Sequence, residues 1–229
     1  MAAGKGTRLK PITLETPKPL IKLRDETILG RLLRQFREVF GSQTYWVNIS
    51  SMPEKFIDAL KTIDPEFSIK FIWEPLLLGS ALTTDTVMSI SPKPLLVLHS
   101  DLVLSDEYVK RIKDVLQLTR YQRNLIVCHT KLLKHARSSL LFDKNFKVFE
   151  FIEGSLTPDN EQTHTNVNSG IYYFPSRIKN IGFIPRETEL TKCQIPLLVK
   201  SGEIYASTID EMRVSVDSFE ALEKARASF

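Results

Sequence analysis

The sequence predicts a three-layer α/β fold, a mainly parallel central sheet with helices on both faces, and two patterns carry that prediction. Short apolar runs rich in β-branched and aromatic residues alternate with segments whose apolar residues recur at helical spacing. One run, Leu95-Leu96-Val97-Leu98, has the unbroken apolarity of a strand buried on both faces, and its expected place is the centre of the sheet.

The strand candidates in the first part of the chain are Thr44 to Ile49, Ser68 to Trp73, Pro94 to His99 and Asn124 to Thr130. Ahead of them Ile28, Leu29, Leu32, Leu33, Phe36 and Phe40 form one helical stripe. A second stripe, Val109, Ile112, Val115 and Leu116, follows the cap-like Ser105-Asp106-Glu107. Each stripe is expected to pack on the sheet. Further on, Lys147 to Ile152, Gly170 to Phe174 and Glu203 to Thr208 are strand-like, and Gln194 to Lys200 predicts a short helix with Pro196 in its first turn. The polar stretch Gly154 to Thr165 contains Pro158-Asp159-Asn160 and reads as an exposed loop. Ser218 is placed to cap a last helix to Ala227 that turns Leu222 and Ala225 inward.

Composition narrows the function. With 229 residues, the chain suits one large domain with a sizeable core, and 42% apolar and 25% charged residues are ordinary for a globular protein. No apolar run has the length of a membrane helix and no secretory leader is evident, so a cytoplasmic protein without a membrane partner is expected. Cys128 and Cys193 lie in and beside apolar runs and read as structural thiols. The 31 Lys and Arg against 27 Asp and Glu leave a net charge of +4, spread without a basic run, so a nucleic-acid partner is not implied.

The richest segment is the first: Ala3-Gly4-Lys5-Gly6-Thr7-Arg8-Leu9, then Pro17-Lys18-Pro19-Leu20. Gly4 and Gly6 permit backbone conformations and close approach that let successive N–H groups face a triphosphate. Arg8 adds a planar guanidinium suited to two phosphate oxygens and Lys18 a compact ammonium. Neither commoner glycine motif fits, because Leu9 stands where a dinucleotide fingerprint has its third glycine and the Walker spacing is absent. A surface turn with scattered basic residues accounts equally well for Gly4 to Thr7 alone, and it is the Pro-Lys-Pro element at fixed distance that favours phosphate handling. Asp101 follows the most apolar strand, where ligands bind in open α/β sheets, and a carboxylate there is a natural ligand for Mg²⁺, although without its flanking context a helix-cap or turn aspartate is the commoner case.

Together these segments resemble the signature of the sugar-phosphate nucleotidyltransferase family, shared by bacterial-type cholinephosphate cytidylyltransferases, and the resemblance runs over essentially the whole chain. It implies a Rossmann-like nucleotidyltransferase fold in a single domain, residues 1–229. About 1–130 would form the nucleotide-binding half and about 131–229 the acceptor-binding half. It also implies that Ala3, Gly4, Lys5, Gly6, Thr7, Arg8 and Lys18 wrap a nucleoside triphosphate, with Arg8 and Lys18 as the catalytic cations. Trp73-Glu74-Pro75 through Gly79-Ser80-Ala81 is similar to the family's segment beside the nucleoside, which adds Glu74 and Gly79. Leu98-His99-Ser100-Asp101 resembles the strand end that carries the metal-binding aspartate, and His99 is expected to pack with the strand. Val216-Asp217-Ser218 resembles the family's closing element, so the resemblance implies Mg²⁺ shared by Asp101 and Asp217. Phe219 and Ala221 replace the family's proline and second acid.

For the acceptor, Val148 to Glu153 and Asn166 to Tyr172 are similar to the family's sugar-binding strands, which implies Glu153, Asn168 and Gly170 at a sugar 1-phosphate. Gly154 stands where the family has lysine. The family also has a buried strand before Ala-Ala-Gly, whereas this sequence begins at Met1 just ahead of Ala2, so the recorded start is expected to omit that strand or to be an internal one. The implied reaction joins a nucleoside monophosphate to the sugar 1-phosphate and releases pyrophosphate, with a homo-oligomer admitted. Phosphocholine as acceptor would call for an aromatic cage. A binding module on the same fold without turnover is a further alternative. A glycosyltransferase would call for an Asp-x-Asp motif, which Ser100-Asp101-Leu102-Val103 does not supply.

Overall fold

A computed structural model describes residues 1–4, 6–63, 69–133, 136–154, 163–178 and 182–229. In the first part the two helical stripes and the four strand candidates form where the sequence places them. After the short α1 (Ile12–Glu15), α2 (Ile28–Phe40) starts where Thr27 Oγ1 accepts from the Gly30 N–H at 3.0 Å. It ends at Gly41, whose φ of 74° suits glycine. The predicted stripe is its buried face, Ile28, Leu29, Leu32, Leu33 and Phe36, while Phe40 is only half-buried.

Next come β1 (Tyr45–Ile49), α3 (Pro53–Ile63), β2 (Ile69–Trp73), α4 (Ser80–Ile90), β3 (Leu95–Leu98), β4 (Leu102–Leu104) and α5 (Asp106–Leu118). The chain continues through β5 (Asn124–Leu132), β6 (Ser138–Phe142), β7 (Val148–Glu153), β8 (His164–Phe174), α6 (Gln194–Ser201), β9 (Ile204–Thr208), β10 (Arg213–Ser215) and α7 (Phe219–Ser228). Ser105 and Ser218 both act as caps, their hydroxyls accepting from the N–H groups of Tyr108 and Ala221 at 3.2 Å each.

The chain forms two compact units woven from separate segments. The first is Met1–Leu77, His99–Lys113 and Glu211–Phe229; the second is Leu78–Leu98 and Asp114–Asp210. In the first unit β1 and β2 run parallel and pack Val47, Ile49 and Ile69 with Leu20, Leu29, Leu33 and Phe56. There β4 and β10 form a short antiparallel pair, and Gln35 of α2 staples β4 by donating to the Leu104 carbonyl at 3.0 Å.

The second unit is built on β8, and here the expectation of a mainly parallel sheet is corrected. β8 runs antiparallel to β3, β5 and β6, and β7 runs antiparallel to β6, while β5 and β9 form the parallel pair. The sheet is mixed. The run Leu95 to Leu98 is not central either, since among the described strand pairs β3 joins β8 alone and only its Val97 is fully buried. An apolar run reports burial without direction, and an 11-residue strand such as β8 can line several neighbours that approach antiparallel to it. The expected loop Gly154 to Thr165 lies for the most part outside the described residues.

Candidate active site

In the first unit the glycine-rich segment is a tight turn. Gly6 has φ 59°, and a side chain there would press its Cβ to 2.9 Å from the Thr13 methyl. Thr13 holds the turn from below by donating its hydroxyl to the Gly6 carbonyl at 2.8 Å. Leu9 is almost wholly buried and pins the following 3-10 turn, which leaves Arg8 and Thr7 exposed. Gly4 has open space around it, Ala3 is buried, and Lys5 lies outside the described residues. The Pro-Lys-Pro element is a second 3-10 turn with Pro19 and Leu20 buried. Burying those neighbours holds the Lys18 side chain in place, at 15% exposure.

Both expected cations rest on the two expected metal carboxylates. Lys18 Nζ donates to Asp101 Oδ2 at 2.6 Å and Arg8 Nη1 donates to Asp217 Oδ2 at 2.8 Å. The two aspartates are brought together by the β4–β10 ladder, which continues one step as the Val216 N–H donates to the Asp101 carbonyl at 2.8 Å. Asp101 Oδ1 is buried with no hydrogen-bond partner among the described residues. Burial pushes the Asp101 carboxyl up, but the Lys18 ammonium, with a lesser part from His99, outweighs it and holds the group below its ordinary value. An ionised carboxylate with one buried oxygen unserved fits a hard cation that takes one or two carboxylates and completes its shell with phosphate and water. Among the described residues no group of three His, Cys, Asp or Glu is gathered as a metal site. His99 is half-buried at the strand end.

Glu74 behaves differently from the others. It is 1% exposed, and its carboxylate accepts from Asn48 Nδ2 at 2.9 Å, while Asn48 Oδ1 accepts from the Ala2 N–H at 2.6 Å. The signal that could have found Asn48 is a polar residue among Tyr45, Trp46, Val47 and Ile49 in a buried strand.

The second unit holds the remaining candidates. Gly79 caps α4 with φ 85°, and a Cβ on it would lie 2.5 Å from the Thr188 nitrogen, so glycine is required by close backbone approach. Asn168 and Gly170 sit in a bulge of β8, where the register jumps from Val127↔Ile171 to Cys128↔Asn168. Gly170 takes φ 74° there, its N–H donates to Asn168 Oδ1 at 2.9 Å, and Asn168 Nδ2 donates to the Tyr172 hydroxyl at 2.6 Å. Burial raises the Tyr172 phenol, and the charges of Glu189 and Glu153 raise it further, outweighing the Asn168 bond. Glu153 is exposed and accepts from the Thr191 hydroxyl at 2.9 Å. Tyr172 and Thr191 were not legible as site residues, because an apolar-flanked tyrosine and a lone threonine carry no spacing signal.

The sequence and the fold match known proteins. Residues 1–210 match the family model described as nucleotidyl transferase. The mannose-1-phosphate guanylyltransferase catalytic subunit beta of Drosophila pseudoobscura pseudoobscura is 28% identical over 217 residues, 90% of this chain and 55% of that protein. A UTP--glucose-1-phosphate uridylyltransferase of Synechocystis is 27% identical over 231 residues, 92% of this chain and 57% of that protein. The chain therefore spans little more than half the length of these curated relatives. The solved structure of HddC from Yersinia pseudotuberculosis superposes with a TM-score of 0.77 at 23% identity, covering 100% of this chain and 96% of that one. A UDP-glucose pyrophosphorylase complexed with UDP-glucose gives 0.78 at 17% identity, covering 99% and 95%. These two likenesses establish a shared mixed α/β fold. A glycine-rich turn with two cations set on strand-end carboxylates, and a family match reaching from the first residue through β9, have one reading: the chain belongs to the nucleotidyl transferase family.

Proposed function

We propose that the chain transfers a nucleoside monophosphate from a nucleoside triphosphate to a sugar 1-phosphate, yielding a nucleoside diphosphate sugar and pyrophosphate. One observation carries the reading: Arg8 and Lys18, held by the glycine-rich and Pro-Lys-Pro turns, each contact a carboxylate at a strand end, Asp217 and Asp101. Cations fixed beside an acceptor-only pair are placed to trade those contacts for phosphate oxygens when a triphosphate arrives. The names of the relatives, guanylyl- and uridylyltransferases of hexose 1-phosphates, support the substrate class.

In this reaction a phosphate oxygen of the acceptor forms a bond to the α-phosphorus, the bond between α-phosphorus and bridging oxygen breaks, and pyrophosphate leaves. No side chain becomes covalently bound. Arg8 and Lys18 bind the triphosphate and offset the negative charge that grows on its oxygens, and the turn residues Ala3, Gly4, Lys5, Gly6 and Thr7 orient it through the backbone. Asp101 and Asp217 would hold Mg²⁺, which supplies charge neutralisation at the phosphates when bound. Gly79 shapes the nucleoside side. Glu153, Asn168 and Gly170 orient the acceptor by hydrogen bonds to its hydroxyls. No described helix is long and apolar enough to cross a membrane. The setting in this reading is the cytoplasm, in keeping with Cys128 and Cys193 as free thiols.

The test is pyrophosphate release across a grid of nucleoside triphosphates and sugar 1-phosphates, with phosphocholine included. GTP with mannose 1-phosphate and UTP with glucose 1-phosphate are the pairs expected first. Turnover with CTP and phosphocholine alone would replace the acceptor assignment, and nucleotide binding without turnover on any pair would make the chain a binding module.

A further inference from the structure

Glu74 is an unusual residue to bury. A carboxylate taken from water costs free energy unless donors meet it, and the same site filled by an apolar side chain is often as stable or more so. At 1% exposure it sits directly after β2, where its own N–H donates to the Ile49 carbonyl at 2.8 Å and extends the β1–β2 ladder. Its carboxylate meets the side chain of Asn48, itself 7% exposed.

The chemistry of the three groups fixes their order. A carboxylate only accepts and a backbone N–H only donates, so an amide between them must turn its NH₂ toward Glu74 and its oxygen toward Ala2. That is the arrangement observed, 2.9 Å on one side and 2.6 Å on the other. The Ala2 N–H alone already favours the amide oxygen, and Glu74 reinforces that orientation by accepting from the NH₂ on the other side.

The strut ends on a backbone that Ser100 also braces, its N–H donating to the Met1 carbonyl at 3.1 Å. Ala2 and Ala3 are buried, whereas the next residue, Gly4, is exposed, and among the described residues a Cβ added to it would meet no atom within 4 Å. From Gly4 onward the turn has Thr13 at Gly6 as its far anchor. Asn48 is the corresponding side-chain anchor at the near end.

We infer that Asn48 and Glu74 are positioning residues for the triphosphate: Glu74 orients the Asn48 amide, and Asn48 sets the backbone from which the glycine-rich turn departs. Glu74 thus acts through Asn48 and not by contact with the nucleotide. The inference rests on the reading of that turn as the triphosphate site.

The experiment measures nucleotide affinity directly, by equilibrium dialysis of GTP and UTP with Mg²⁺, alongside KM for both substrates and the melting temperature. The variants are Asn48→Leu, Glu74→Leu, the double variant, Asn48→Asp and Glu74→Gln. Each Leu variant is expected to weaken triphosphate binding roughly 5-fold to 150-fold, the range for one buried hydrogen-bonded group left unserved. The acceptor KM is expected to move less than about 2-fold, well inside that range. The double variant should lose no more than the worse single one, because both changes break one connection. Glu74→Gln keeps an acceptor oxygen for Asn48 and should recover most of the binding, whereas Asn48→Asp sets carboxylate against carboxylate and should not. Should Leu variants fail to fold, the contrast between Glu74→Gln and Asn48→Asp still decides the matter. Losses that multiply in the double variant, or equal rises in both KM values, would overturn the inference in favour of direct contact or of general stability. A native chain that binds neither triphosphate would instead sink the function reading on which the inference stands.

Discussion

The candidate groups of the two units are built from different forces. In the first unit the cluster is ionic, two cations on two carboxylates at 2.6 and 2.8 Å, with the charges set on turns and strand ends. In the second unit Asn168 and Gly170 are joined by neutral hydrogen bonds within a bulge, and the carboxylate of Glu153 accepts from a hydroxyl. Ionic groups answer to changing charge at a phosphate, whereas neutral donors and acceptors answer to the shape and hydroxyl pattern of a ring. The comparison predicts that substitutions in the first unit lower turnover and those in the second shift acceptor affinity.

The largest effect should come from Asp101→Asn, which keeps shape and removes charge. Pyrophosphate release is expected to fall on the order of 10² to 10³ or more, with the fold retained by circular dichroism. Turnover near the native level at saturating Mg²⁺ would break the comparison at its strongest point. Lys18→Ala and Arg8→Ala should each cost about 10²-fold in kcat/KM for the triphosphate. Arg8, 60% exposed in its pair, should leave the melting temperature nearly unchanged, since exposed ion pairs add little to stability. Equal losses of melting temperature and activity would mean that the pairs are only structural.

Glu153→Ala sharpens the other side. Acceptor KM should rise roughly 5-fold to 150-fold while triphosphate KM stays level; a change in the triphosphate KM instead would erase the division of labour. The smallest effects come from glycines. Gly79→Ala, forced against the Thr188 backbone at 2.5 Å, should destabilise by about 1 to 3 kcal/mol in chemical denaturation. Gly4→Ala meets open space and should change stability by less than about 0.5 kcal/mol. A fall in triphosphate affinity in Gly4→Ala without loss of stability would point to close approach of the backbone to phosphate.

How far the sequence could be read follows the same division. α2 and α5 were legible because each buries one apolar stripe, and β1, β2, β5 and β9 because short apolar runs lay between breaks. α4 was not, since it buries Ser80, Thr83 and Thr84 along with Ala81, Val87 and Met88 and so shows no clean stripe. β4 and β10 have three residues each, too few for a period to register. Strand direction was misjudged because it depends on connections, and the start of β8, His164 and Thr165, fell in the expected loop because it is polar and only partly covered. Among the candidate residues, Arg8 and Lys18 stand out in the sequence by charge at fixed spacing and Asp101 by its place after the most apolar strand, whereas Asp217 was singled out by the family resemblance. The bulge that presents Asn168 and Gly170 depends on a register jump against Val127 and Cys128, which is a property of two strands and is written in neither alone.

The pairing of Arg8 with Asp217 and of Lys18 with Asp101 also bears on the rate of encounter. Two cations already in contact with two anions form a pair of short dipoles with no net charge, and the field of a dipole fades with distance faster than that of an ion. In the proposed reaction these four groups would therefore do little to steer a triphosphate from afar; their charges would become available only once it is close enough to displace the partners. Capture through them is governed by residence after collision, and added salt should act on how fast the nucleotide leaves more than on how fast it arrives.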